Sequence, residues 1–316
     1  MLILIVGITG NLGQHLLRAA TVQGHQVRGL SRSADKLSSE LRSSLESFVA
    51  SSSYYDIPAI ESAVQGVDAV ICAYANVPGL TLEGQLILLR AAERAGVKRY
   101  VATSWNSDWT KIPLGKHESY DEFIMFKRHV EQSSLSSGNT VIKPIYIFTA
   151  LLAEFAFQAP SDMAEIPEFP WWNPKKGTAV YYGDGKTRHQ WTTFADAAAY
   201  TVDIVTSDDA EKGGTYSILS DAGDVFYIAK TWKEATGKDV KLIPAGDVEE
   251  LRAYAMAGRK AHPPNEWKKY IGPFYWLHTI EGDWNLDEDH LYTSDKVTPT
   301  KLRDFFELHK DWYAKF

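Results

Sequence analysis

The chain has 316 residues, 45 % of them hydrophobic, with 33 basic and 40 acidic side chains and a formal net charge of −7. That length supports one large domain or two lobes sharing a core, and the acidic balance argues against the basic face that general nucleic-acid binding uses. The one cysteine, Cys72, lies in an apolar run, which excludes a disulfide framework, and no apolar stretch reaches the roughly 20 residues of a membrane span.

The first element is Leu2-Ile3-Leu4-Ile5-Val6, a run of the kind buried on both faces of a parallel sheet. It lacks the basic flank of a secretory leader and runs straight into Gly7-Ile8-Thr9-Gly10-Asn11-Leu12-Gly13, so we read it as a strand of a cytoplasmic protein. Helix-forming residues follow from Gln14. Strand, glycine turn and helix make a seat for a diphosphate. Gly7 permits the sharp turn, Gly10 lets the main chain approach the phosphates, and Gly13 lets the helix lie against the strand. Thr9, Asn11 and Leu12 complete the seat, and the helix N-terminus offers free N–H groups and the positive end of its dipole.

The second strand spans residues 25–30. An acidic residue after it would hold the ribose 2′-hydroxyl of NAD; the chain has Ser31-Arg32-Ser33 instead. An arginine pairs with a 2′-phosphate and stacks on adenine, so the pattern favours NADP. A short third strand over 46–50 leads to Asp56, which either touches the adenine or caps the helix over 57–65. The fourth strand, within 66–75, ends at Ala73, Tyr74 and Ala75, and the fifth, over 97–103, ends at Ser104. Open α/β sheets bind ligands beyond the carboxyl ends of their strands, which makes these residues candidates too. A helix over 120–132 carries Phe123 and Lys127 on one face. A sixth strand is read over 140–148, with Pro144 near the nicotinamide. The alternation predicts a doubly wound parallel Rossmann sheet over residues 1–150.

Beyond residue 150 the texture turns aromatic, with Trp171, Trp172, Trp191, Tyr275, Trp276 and Trp284 among many others. Strands are expected at 177–183, 214–219 and 240–244, and helices at 225–236, 248–256 and 300–313. Residues 151–316 therefore read as a smaller α/β substrate lobe, with segments around 177–220 returning to the Rossmann sheet. The acidic cluster of Asp283, Asp287, Glu288, Asp289 and His290 lacks the ligand order of a calcium loop, and no His/Cys spacing suggests zinc.

These residues resemble the NmrA-like and isoflavone-reductase-like branch of the atypical short-chain dehydrogenases. The resemblance rests on Gly7 to Gly13, Arg32, the Ala91-to-Val101 segment and Lys127-Arg128-His129-Val130-Glu131. Gly183-Asp184-Gly185 with Asp196, and the Val297-Thr298-Pro299 entry to the last helix, extend it. It implies an NADP(H)-binding Rossmann domain and a small aromatic or apolar substrate, with the chain a monomer or homodimer. Typical short-chain dehydrogenases use Tyr-x-x-x-Lys, and here Phe123 stands at the tyrosine position. The resemblance makes Lys127 the ribose-binding lysine and a candidate proton donor. Tyr120, roughly 10 Å before it along a helix, and Ser104 are further candidates. Two functions follow: an NADPH-dependent reductase of a carbonyl, imine or activated double bond, or a non-catalytic NADP sensor acting through a protein partner.

Overall fold

The computed structural model describes residues 1–136, 142–157 and 171–313. In the first half strands and helices alternate: β1 (Leu2–Val6), α1 (Asn11–Val22), β2 (Gln26–Ser31), α2 (Ser39–Ser43), β3 (Ser47–Ala50), α3 (Ile57–Val64), β4 (Ala69–Cys72), α4 (Gln85–Arg94), β5 (Arg99–Val101), α5 (Asp121–Ser136) and β6 (Ile145–Phe148). In β1, Leu4 and Val6 pack with α3, α4 and α5, while Ile3 and Ile5 pack with α1 and a later helix. Both faces are covered, so an uninterrupted apolar strand is stable there.

The second half begins with β7 (Leu151–Leu152), α6 (Ala153–Phe157), β8 (Trp172–Asn173), β9 (Thr178–Tyr181), β10 (His189–Thr192) and α7 (Phe194–Thr206). It continues with β11 (Gly214–Ser217), β12 (Asp221–Gly223), α8 (Val225–Thr236), β13 (Lys241–Pro244), α9 (Val248–Ala261), α10 (Gly272–Glu281), α11 (Leu302–Leu308) and α12 (Lys310–Tyr313). The central sheet is parallel throughout, in the order β11-β6-β5-β4-β1-β2-β3. The order reverses between β1 and β4, which defines the switch point where such sheets open a crevice. Two three-stranded sheets, β12-β10-β7 and β13-β9-β8, carry the rest. A third core, rich in rings, joins Phe157, Trp172, Trp191, Trp232 and Phe306.

Three details differ from the sequence reading. Of residues 177–220, α7 covers β1 and β11 closes the central sheet, but β9 pairs only with β8 and β13. The sixth strand starts at Ile145; residues 140–141 lie outside the described residues. Pro144 therefore stands at the amino end of β6, where its carbonyl accepts from Gly214 N at 3.1 Å. A proline that cannot donate to the ladder starts the strand instead of ending it, and this puts Pro144 on the sheet edge opposite the glycine turn. Finally, α10 was not anticipated, although Pro273 in its first turn and buried Phe274, Leu277 and His278 carry a helical period.

A side chain at Gly13 would meet Gly7 O at 2.4 Å and Ile8 Cα at 2.8 Å. Gly13→Ala is accordingly expected to lose about 1–3 kcal/mol of stability, read as a lower midpoint in urea unfolding.

Candidate active site

The glycine turn sits at the carboxyl edge, at the switch point. Gly7 adopts φ +78°, and its N–H bonds Leu30 O at 2.8 Å. A Cβ there would lie 2.5 Å from Ala73 O, so backbone fills the space that any other residue would need. The first turn of α1 has no side-chain cap. Thr9 and Ser31 share a 2.7 Å hydroxyl contact that ties the turn to the end of β2, and Arg32 and Ser33 stand exposed just beyond. Asn11, Leu12 and Ala73–Ala75 border the same crevice; Tyr74 O is fixed by the Thr103 hydroxyl at 2.8 Å. Bare main chain, an open helix end and an exposed arginine past β2 fit a dinucleotide with a 2′-phosphate. Asp56 caps α3, its carboxylate accepting from Ser52 N, Ser52 Oγ and Ala59 N, and these bonds hold it below the usual carboxylate range.

On the same edge a cavity of about 180 Å³ lies between the halves. Trp105 and Asn106 follow β5, and Ala150 follows β6. Phe155 comes from α6, Trp171 from just before β8, His189 from β10, and Tyr275 and Trp276 from α10. A line of rings joins cavity and glycine turn. Phe155 meets Phe194 edge-on at 5.2 Å, and Phe194 lies 5.6 Å from His15 on α1. Ala150, at φ +52°, is the one non-glycine residue among those described with a positive φ. The sequence reading named several of these aromatics but assigned none to a site, because only the fold brings segments 105–106, 150–155, 171–189 and 275–285 together.

Of the three candidate proton donors, only Tyr120 borders the cavity. It is 1 % exposed, and its hydroxyl donates to Asn106 Oδ1 at 2.6 Å; burial raises its pKa well above the usual tyrosine value. Lys127 is held by Glu131 one turn along α5 and does not line the cavity. Ser104 is fully buried, its Oγ donating to Ala102 O at 3.0 Å and accepting from Ile147 N at 2.7 Å. The first bond closes a local turn after β5 and the second joins that turn to β6, so the buried hydroxyl is engaged in the sheet, against the reading of Ser104 as a proton donor or cofactor contact. Pro144, on the far edge, is likewise no cofactor contact.

Two buried titratable groups flank the cavity. His189 stacks on Trp171 at 4.8 Å, and burial pushes its pKa down to about 4, so it is neutral at pH 7. Glu154, 6 % exposed, accepts from Phe194 N at 2.9 Å with both oxygens and so ties α6 to the start of α7. Burial pushes it up to about 7. His278, Glu281 and Asp283 come close enough to hold a cation, but Lys116 already pairs with Asp283 and Arg252 with Glu281.

A parallel sheet with a glycine turn at its switch point, beside an aromatic cavity, defines a dinucleotide-binding α/β protein with a small-molecule pocket. The chain belongs to the NmrA-like family, whose sequence profile matches residues 1–306. It is 23 % identical, over 97 % of its own length and 98 % of the relative's, to a bifunctional pinoresinol-lariciresinol reductase of Linum usitatissimum. The structure of AtPrR2 with NADP+ and (+)pinoresinol shares the fold at a TM-score of 0.73 and 21 % identity, over 97 % of both chains. The leucoanthocyanidin reductase–NADPH complex of Vitis vinifera gives 0.73 at 16 % identity, over 99 % of both. These relatives and solved neighbours are reductases, and both of those structures carry an NADP cofactor. Among the described residues no helix is long and apolar enough to cross a membrane.

Ser104→Ala strands a buried Ile147 N–H, so it should cost about 1–3 kcal/mol of stability, seen in urea unfolding, with NADPH affinity unchanged. Glu154 makes stability fall with pH. Between the unfolded carboxyl value near 4.5 and about 7, the folded state holds a proton that the unfolded state has lost. Glu154→Gln should flatten that slope in urea midpoints measured from pH 4.5 to 8.

Proposed function

We propose that the protein is an NADPH-dependent reductase of small aromatic or apolar substrates bearing a carbonyl, imine or activated double bond, with phenylpropanoid-like compounds as the first class to try. The observation that carries this reading is the aromatic cavity on the same sheet edge as the glycine turn, joined to it by Phe155, Phe194 and His15.

When bound, NADPH supplies the hydride. Gly7, Thr9, Gly10, Asn11, Leu12 and Gly13 form the diphosphate seat, to which the uncapped first turn of α1 offers its main-chain N–H groups. Ser31, Arg32 and Ser33 take the 2′-phosphate, and Ala73, Tyr74 and Ala75 border the crevice between. We assign Lys127 to the ribose hydroxyls, as the family resemblance implies, which requires it to turn away from Glu131. It is not assigned the proton transfer, because it does not border the cavity. Residues 1–150 form the cofactor part of this reading, and residues 151–316 form most of the substrate wall. Trp171, Trp276 and neutral His189 give that wall flat faces and no fixed charge, which suits an uncharged ring system.

NADPH should bind more tightly than NADH, and Arg32→Ala should reduce that preference about 10- to 100-fold, the equivalent of one or two charge-assisted hydrogen bonds. Fluorescence titration measures both. Steady NADPH consumption with an acetophenone, chalcone, naphthoquinone or aryl benzylic ether supports the reductase. Tight NADPH binding with no consumption across that panel overturns it in favour of the sensor.

A further inference from the structure

The side chains described so far leave the proton that must balance the hydride without a source. Phe123 stands where a short-chain dehydrogenase has its tyrosine. It is 3 % exposed and packed against Trp109 and Tyr120. Lys127 is on Glu131, outside the cavity. The Tyr120 proton is directed at Asn106 Oδ1, an atom marked as acceptor because Ser107 N also donates to it at 3.2 Å. The hydroxyl of Thr279, another lining residue, is bonded to Tyr275 O at 2.8 Å.

Tyr275 lines the cavity from α10 and, unlike Tyr120, is partly exposed. Its hydroxyl is 2.9 Å from Ser119 Oγ, and Ser119 Oγ is 2.8 Å from His117 Nδ1. His117 is fully buried, with Tyr275 and His278 rings against it at 4.5 and 5.3 Å. Burial, His278 and Arg259 all resist a second proton on His117, so the ring is neutral. Around it Asp283 faces His278, Lys116 faces Asp283, and Glu281 adds a weaker field. A neutral His117 with its proton on Nδ1 donates to Ser119 Oγ, which leaves the serine proton free for Tyr275. The hydrogen bond from Ser119 favours the ionised form of Tyr275 and offsets part of the rise that burial causes.

We propose that Tyr275, reaching the cavity from the other half of the chain, is the catalytic proton donor that position 123 lacks, and that Ser119 and His117 position it. The proposal rests on the reductase reading. As a hydride adds to the substrate, an electron pair shifts onto a substrate oxygen, nitrogen or conjugated carbon. The Tyr275 O–H bond breaks, its proton bonds that atom, and the phenolate left behind accepts the hydrogen bond from Ser119. Water returns the proton as the product leaves.

The test uses the full chain with NADPH and the panel compound turned over fastest. Tyr275→Phe should lower kcat about 10²- to 10⁴-fold, the usual contribution of a positioned general acid, with the Kd for NADPH unchanged. Ser119→Ala should lower kcat about 10- to 100-fold, the equivalent of a hydrogen bond to a charged group, and should raise the solvent deuterium isotope effect, which a merely structural loss would leave alone. With tyrosines replaced by 3-fluorotyrosine, the ¹⁹F resonance absent in Tyr275→Phe should ionise at higher pH once Ser119 is alanine. That readout needs no turnover. A Tyr275→Phe enzyme within threefold of wild type, a larger loss from Tyr120→Phe than from Tyr275→Phe, or an unmoved ¹⁹F titration overturns the proposal and leaves the reductase standing. A wild-type protein that consumes no NADPH overturns both.

Discussion

The close approach of three backbone segments at the switch point governs the rest of this molecule. Gly7 O lies 2.4 Å from where a Cβ of Gly13 would be, and Ala73 O lies 2.5 Å from where a Cβ of Gly7 would be. Strand β1, the start of α1 and the end of β4 can share that space only as main chain. The consequence is chemical as well as steric. Main chain without side chains lets a ligand come close, and α1, uncapped by any side chain, aims its free N–H groups and positive end at the same spot. The close packing at the switch point and the anion seat are thus one feature.

From that point the architecture spreads in two directions. Towards β2 and β3 it ends in small polar groups, with Thr9 and Ser31 holding each other beside exposed Arg32. Towards β5 and β6 it ends in rings. Helix α7 mediates between them. It packs on α1 beneath the glycine turn, its first residue Phe194 carries the ring line towards the cavity, and its N-terminus is held by Glu154. A helix from the second half of the chain therefore sets the distance between anion seat and cavity.

Much of this was legible in the residues. The apolar run before Gly7, the glycine spacing and the serine–arginine pair after β2 are local signals, and each works through atoms within a few residues of itself. Lys127 was legible as a family position, but its pairing with Glu131 depends on which way a long side chain turns. Ser104 misled for a related reason: a hydroxyl at the carboxyl end of a strand looks the same in sequence whether it faces a ligand or stitches two strands. Pro144 misled because the sixth strand begins at that proline. The sequence pointed to an aromatic substrate lobe and to Tyr120, but the cavity itself was not legible, since Asn106, Ala150, His189 and Tyr275 meet only through the crossing of two halves. Tyr275 is the sharpest case, lying 152 residues beyond the phenylalanine whose missing hydroxyl it is proposed to replace.

Ala150 turns through a left-handed bend directly after β6, on the cavity wall. With a Cβ, that conformation costs about 1–2 kcal/mol, and a glycine would remove most of the cost. A glycine would also give the wall more freedom. Alanine keeps the chain in one shape, anchored by Thr149 N on Asn106 O at 3.0 Å. This stretch of wall is ordered when the protein folds, so a ligand entering the cavity does not have to freeze it and loses less affinity to reorganisation there.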